Sequence, residues 1–313
     1  VAENHKGGKK KFIEVKLMNQ IFVDGHGMCE VWSLPKVFPK KQRRSKYVQD
    51  SVSHPAKMNV GLCRRVIETY TKRGETVLDP MAGINTTGIE AAYMGRNSIA
   101  VELEDKFVDL SKQNIDLLKK AQTFTPKGKA VIIKGDSREL SRILWEKADA
   151  IVTSPPYHDN KSDWDRKSRA AKEGEEVTYS DEIGLKRENI GNIHYYDQGE
   201  PLSHKYSKVP RGKETYLSAM FQVYRECYKT LKPGGKMVLV LKDFIRGKKV
   251  VRLDLDTKKL VERCGFRWVE TKLFKLPSKS FWRTLYEQKY PNVDTTLINY
   301  EFVEVFEKPL EAY

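Results

Sequence analysis

Three acidic residues stand where apolar runs end: Asp79 closes "TVLD", Glu102 closes "NSIAVE", and Asp136 follows "KAVIIKG". A carboxylate at a strand tip has the wrong sign for phosphate but suits a ligand carrying ammonium and hydroxyl groups. Pro80, Met81, Ala82 and Gly83 follow Asp79, then Asn85, Thr86 and Thr87 open a helix. That is the generic nucleotide-cofactor corner of a doubly wound sheet, with Gly83 allowing close backbone approach. A dinucleotide fingerprint fails because Asn85 stands at the second glycine. A phosphate-binding P-loop fails because Ile89 and Glu90, not Lys and Ser or Thr, follow Gly88. Glu102 lies 23 residues beyond Asp79, well placed with Leu103 to accept both hydroxyls of a ribose. Asp136, followed by Ser137, can accept from an adenine amine. Together these acids describe a pocket for S-adenosylmethionine.

A fourth apolar run, "ADAIVT", ends on Ser154-Pro155-Pro156-Tyr157. Proline fixes φ and has no N–H, so this tetrapeptide neither continues a sheet nor starts a helix comfortably. It is a rigid corner. The elements that position it alternate. "TVLD", "NSIAVELE", "KAVIIKGD" and "ADAIVTS" read as buried strands, separated by helices over "IEAAYMG", "EDKFVDLSKQNIDLLKKA" and "LSRILWEK". That alternation requires a parallel sheet with helices on both faces. "KETYLSAMFQVYRECYKTL" is a further helix, and "KMVLVLKDF", "FRWVETKLFKL" and "TLINYEFVEVFEK" bring the strands to seven. The fold expected is α/β, doubly wound and mostly parallel.

Upstream, residues 1–53 form a basic extension with one or two short strands expected in "KKKFIEVKLMNQIFVD". Residues 54–313 form the main domain, and 158–212 a long polar insertion with interleaved aromatics after the fourth strand. A connection of that length inside a compact domain is functional.

The chain of 313 residues carries a net charge of +15, which favours a polyanionic partner. No apolar run approaches the roughly 20 residues of a membrane span, so no membrane partner is expected. "VAENHKGGKKKF" lacks the apolar core of a signal peptide, which points to the cytoplasm. The four cysteines and six histidines show no metal-ligand spacing, so no metal is expected.

"DPMAGINTTGIEAAYMGRNSIAVELE" resembles the cofactor motif of the exocyclic-amino nucleic-acid methyltransferases, and "TSPPY" resembles their catalytic motif. "HPAKM" resembles the segment that flanks the methionine end of the cofactor in that family, here His54, Pro55 and Lys57. The resemblance covers residues 54–110 and 148–157 and departs from the family at Met81 and Asn85. It implies a Rossmann-like class I methyltransferase fold and S-adenosylmethionine as cofactor, with Ser154 also bordering the cofactor. It also gives the corner a role. An exocyclic amine on a base is a poor nucleophile because its lone pair is delocalised into the ring. Ser154 Oγ and the Pro155 carbonyl, held by Pro156, would accept its two hydrogens and draw nitrogen toward tetrahedral geometry. Tyr157 would stack on an extruded base.

None of the 13 prolines precedes cysteine, which excludes the Pro-Cys nucleophile of carbon-5 methylation. A serine at the first motif position favours cytosine N4 over adenine N6 as a family tendency. Outside the sheet, only small basic and aromatic segments remain for the substrate: Lys40, Lys41, Arg43 and Arg44, then Tyr195, Tyr196, Lys205, Tyr206 and Arg211. These suit backbone contacts and stacking on splayed bases, favouring structured RNA such as ribosomal RNA over duplex DNA. DNA methylation, a protein-amide substrate and a non-catalytic nucleic-acid-binding module stay open as alternatives.

Overall fold

The computed structural model describes residues 19–37, 39–53, 58–156, 190, 215–246, 249–277 and 281–310. The four apolar runs are β3 (Thr76–Asp79), β4 (Asn97–Glu102), β5 (Ala130–Lys134) and β6 (Ala148–Thr153). They lie parallel in the spatial order β5-β4-β3-β6, and β7 (Leu231–Leu241) continues the parallel run beyond β6. β11 (Tyr300–Glu307) pairs antiparallel with both β7 and β10 (Arg267–Lys275). Those seven strands are the sheet expected from sequence: doubly wound, mostly parallel and Rossmann-like. A small separate hairpin joins β8 (Phe244–Arg246) to β9 (Lys249–Val251).

Two further strands, β1 (Gln20–Val23) and β2 (Gly27–Trp32), extend the sheet to nine. They form an antiparallel hairpin whose second strand runs parallel to β10. The basic leader therefore contributes to the sheet instead of standing apart from it. Its turn is fixed by buried polar contacts, with His26 Nε2 at 2.9 Å from Asp254 Oδ2 and His26 Nδ1 at 3.0 Å from Thr271 Oγ1. Lys272 adds an ion pair of 3.0 Å to Glu30 across the strand pair.

Helices cover both faces. α2 (Val60–Tyr70) packs Leu62, Cys63, Val66 and Ile67 against Val77, Val152, Val238 and Val303. α3 (Thr86–Tyr93) and α4 (Asp105–Lys120) lie on the same side. α5 (Leu140–Ile143), α6 (Tyr216–Thr230) and α7 (Leu253–Arg263) cover the other, where Met220, Val223, Tyr224 and Val261 meet Leu239, Leu241 and Phe302. The central strands are buried on both faces, which is why β7 reads as the unbroken apolar run "MVLVL". α2 starts at Asn59, whose side chain accepts from the Leu62 amide at 3.1 Å. It ends at Tyr70, where Thr71 caps it and returns its amide to the Ile67 carbonyl.

Among the described residues no helix is long and apolar enough to cross a membrane, and no group of His, Cys, Asp and Glu could hold a metal ion. Cys29, Cys63, Cys227 and Cys264 are all free thiols.

The sheet fixes the chemistry because β3, β4, β5 and β6 are parallel and so end at one edge. The approach to β5 is tight: a Cβ on Gly128 would fall 1.7 Å from the Arg96 carbonyl oxygen. Gly128→Ala should lower stability by at least about 1–3 kcal/mol, the usual cost of overpacking. A denaturant melt checks this, and an unchanged midpoint would mean that β5 does not meet β4 in this way.

Candidate functional site

The register shows how the acids converge. Asp79 ends β3 beside Ala100 of β4, and Glu102 lies two residues further along β4 opposite Lys134 of β5. Leu78 pairs with Ile151, so Asp79 and Thr153 end adjacent strands, and Ser154 turns off at the same edge. β3 and β6 are the strands from which the chain winds in opposite directions, the switch point where doubly wound sheets bind ligands.

Asp79 is buried, and burial pushes its carboxyl above the ordinary range. The Thr153 and Thr87 side chains and the Met81 amide, at 3.2 Å, ease its ionised form. Glu102 is also raised by burial, eased by the Gly83 amide at 2.7 Å and the Glu104 amide at 2.9 Å. One carboxylate thus pins the glycine turn to the neighbouring strand and keeps further lone pairs for a ligand.

Asn85 resolves the missing glycine. Its φ of 64° and ψ of 44° are left-handed, a conformation that asparagine tolerates. From there its side chain caps α3 by accepting from the Gly88 amide at 3.1 Å. The loop therefore keeps the path that a glycine would give. Ala82 is tied through its amide to the Val101 carbonyl at 3.0 Å, and Ser111 Oγ donates to the Gly83 carbonyl at 2.9 Å. Met81 packs partly buried against the core, Pro80 is buried, and Leu103 is half-buried beside Glu102.

The turn after β5 joins the same cluster, because Ser137 Oγ donates to the Pro80 carbonyl. Asp136 differs from the reading as an open acceptor. Arg138 grips its carboxylate, with Nη2 at 2.6 Å from Oδ2 and Nε at 3.0 Å from Oδ1. Burial opposes ionisation there, but Arg138 holds the carboxyl below its ordinary range.

Arg43 is the correction in the basic cluster. It is 2% exposed, donates to the Met58 carbonyl at 2.7 Å and the Thr86 hydroxyl at 3.3 Å, and lies over the Tyr47 ring. A guanidinium so enclosed supports the cofactor loop and has no face left for phosphate. Its place in α1 (Pro39–Arg43) explains this, since the short helix packs on α2 and Arg43 reaches Thr86 at the start of α3. Lys46 behaves likewise, pairing at 3.1 Å with the buried Glu90, which also takes Arg64 at 3.3 Å and the Tyr47 hydroxyl at 3.0 Å. Lys41 and Arg44 remain exposed. The Lys40 side chain and His54, Pro55, Lys57, Tyr157, Tyr195, Tyr196, Lys205, Tyr206 and Arg211 lie outside the described residues.

At the corner Pro155 is buried, while Ser154 and Pro156 are half-buried. The Pro156 carbonyl accepts from the Tyr216 hydroxyl at 3.0 Å. Sequence reasoning missed Tyr216, because "KETYLSAMF" signals only a helix start and nothing in it points back to residue 156.

The donor set suits S-adenosylmethionine: carboxylates for ammonium and hydroxyl groups, a turn with Gly83 at φ 53° for close approach, and no assembled cationic cradle for phosphate among the described residues. Replacing Asp79 by Asn or Glu102 by Gln should weaken cofactor binding by about 1.5–3 kcal/mol each. Titration calorimetry reads this, and the pH dependence has a definite sign. Both folded carboxyls are raised, so their contribution to the stability of the free protein is full below the ordinary carboxylate range and is lost as pH rises through the raised values. Binding needs the ionised forms, so affinity falls as pH drops through that window. The gap between wild type and the Asn and Gln variants should close with it, and a gap independent of pH would contradict these roles.

The chain is similar in sequence to known proteins over part of its length. The N6/N4 methyltransferase family model, described as DNA methylase, matches residues 5–113, and a model described as conserved hypothetical protein 95 matches residues 65–173. The Type II methyltransferase M2.MboI of Moraxella bovis is 34% identical over 84 residues, which is 27% of this chain and 28% of that protein. The DNA adenine methyltransferase YhdJ of Escherichia coli is 31% identical over 88 residues, 28% of this chain and 27% of that one. A tRNA (guanine(10)-N2)-dimethyltransferase of Methanothermobacter thermautotrophicus is 30% identical over 105 residues, covering 33% and 29%. The matched stretches span less than a third of each relative's length.

Proposed function

We propose that this chain, which belongs to the exocyclic-amino nucleic-acid methyltransferase family, methylates the N4 amine of cytosine in a structured RNA such as ribosomal RNA. One observation carries the reading: the Ser154-Pro155 corner leaves β6 directly beside Asp79, at the switch point of the sheet. S-adenosylmethionine supplies an electrophilic methyl group on a sulfonium. Asp79 and Glu102 would hold its polar ends, with Asp136 and Ser137 at the turn beyond β5 and the Gly83 turn beside it.

The amine is handled by the chain's own oxygens. Ser154 Oγ and the Pro155 carbonyl accept its two hydrogens, which withdraws the lone pair from the ring and directs it away from the corner. These hydrogen bonds strengthen as nitrogen becomes cationic, so they favour the transition state over bound substrate. As the bond from nitrogen to the methyl carbon forms, the carbon–sulfur bond would break with its electron pair staying on sulfur. The alkylated nitrogen then releases one hydrogen as a proton to solvent; positioning, not a strong base, does the remainder. A base inside a duplex cannot reach such a corner, so the target is single-stranded, looped or extruded.

Serine at the first motif position supports cytosine. A relative named tRNA (guanine(10)-N2)-dimethyltransferase supports RNA. Lys41 and Arg44, the exposed members of their cluster, supply phosphate contacts.

Purified chain incubated with methyl-labelled S-adenosylmethionine and either ribosomal RNA or DNA, followed by nucleoside mass spectrometry, tests this. The expected product is N4-methylcytidine from RNA. N6-methyladenine from DNA would overturn base and polymer together, and cofactor binding without transfer to either polymer would overturn the nucleic-acid reading. Ser154→Ala should cut kcat by roughly 10- to 100-fold, the worth of one hydrogen bond made chiefly in the transition state, with cofactor affinity nearly unchanged. Changing Lys41 and Arg44 to Ala should reduce the slope of log K against log salt by about 1 for each phosphate no longer neutralised. An unaltered slope would remove them from the interface.

A further inference from the structure

Two adjacent prolines give the end of β6 no amide hydrogen at residues 155 and 156, so its carbonyls are the backbone groups there that can be tied down. One of them is tied. The Tyr216 hydroxyl donates to the Pro156 carbonyl at 3.0 Å, from a side chain that is 1% exposed. Tyr216 is the first residue of α6, and its backbone is fixed by a capping box in which Thr215 and Ser218 each accept from the other's amide. The bond also joins two points far apart in sequence, because residues 157–214 run between the corner and the cap of α6.

Resting on the function proposed above, we infer that Tyr216 is a positioning residue for methyl transfer: by holding the Pro156 carbonyl it sets the direction of the Pro155 carbonyl and Ser154. A loose Pro156 carbonyl would let the corner turn and offer the amine a competing acceptor. With the Tyr216 hydroxyl on it, that oxygen competes less for the amine. Burial also pushes the Tyr216 hydroxyl up in pKa, so it stays a donor throughout the neutral range. Tyr216 acts on the corner through the Pro156 carbonyl, so its effect should appear in turnover.

The test compares Tyr216→Phe with Tyr224→Phe in the full chain. Tyr224 lies on the same helix and is equally buried, at 1% exposure, two turns further from the corner. For Tyr216→Phe the expected result is a fall in kcat of about tenfold or more, with KM for the nucleic acid and Kd for S-adenosylmethionine within about twofold of wild type. Tyr224→Phe should keep wild-type kcat, and the two variants should melt within a few degrees of each other. Wild-type kcat in Tyr216→Phe would overturn the proposal, as would an equal loss of kcat in both variants, which would mark a general effect of helix packing. If the wild-type chain binds S-adenosylmethionine but methylates no polymer, the proposed function fails first and this role with it, an outcome distinct from a silent Tyr216→Phe in an active enzyme.

Discussion

Proline 155 and proline 156 impose the constraint on which the rest of the site depends, because a strand that ends on them cannot anchor itself through its amides. The surrounding fold supplies what they lack. β6 is held on both sides by β3 and β7, so the corner starts from a fixed strand end. Tyr216 then takes the Pro156 carbonyl from α6, on the opposite side of the sheet from α2. Its two prolines bring no amide donor, and the Tyr216 hydroxyl anchors the corner instead.

Beside it, the cofactor edge carries a cost that the free protein bears. Asp79 and Glu102 are buried carboxyls, both raised by desolvation and only partly relieved by amide and hydroxyl neighbours. Burial of this kind is unfavourable until a partner arrives, and it marks where a cationic or hydroxyl-bearing ligand belongs. A layer behind them prevents collapse. Glu102 grips the Gly83 amide, Ser111 the Gly83 carbonyl and Ser137 the Pro80 carbonyl, while Arg43 and Glu90 fasten the leader onto α3. The basic cluster read as one surface is thus divided, with Arg43 and Lys46 serving the loop and Lys41 and Arg44 facing out.

Local patterns were legible from sequence where they were sufficient. Apolar runs identified β3, β4, β5 and β6, and strand alternation with parallel order put those strand ends at one edge. Asn85 looked like a defect in the glycine pattern, but it needed only the left-handed φ that asparagine tolerates. What could not be read depends on distant partners. The hairpin of β1 and β2 is short, and it is secured by His26 reaching Asp254 and Thr271 from more than 200 residues away in sequence. The burial of Arg43 and the reach of Tyr216 to Pro156 are likewise tertiary, and composition gives no sign of either.

The central claim is spatial: the oxygens of the proline corner and the acid-lined pocket face one reaction centre. A crystal structure of the chain with S-adenosylhomocysteine tests it most directly. The ribose hydroxyls should lie on the Glu102 carboxylate, and the sulfur should open toward Ser154 Oγ and the Pro155 carbonyl with nothing between them. A ribose bound away from Glu102, or a sulfur screened from the corner by protein, would contradict the account.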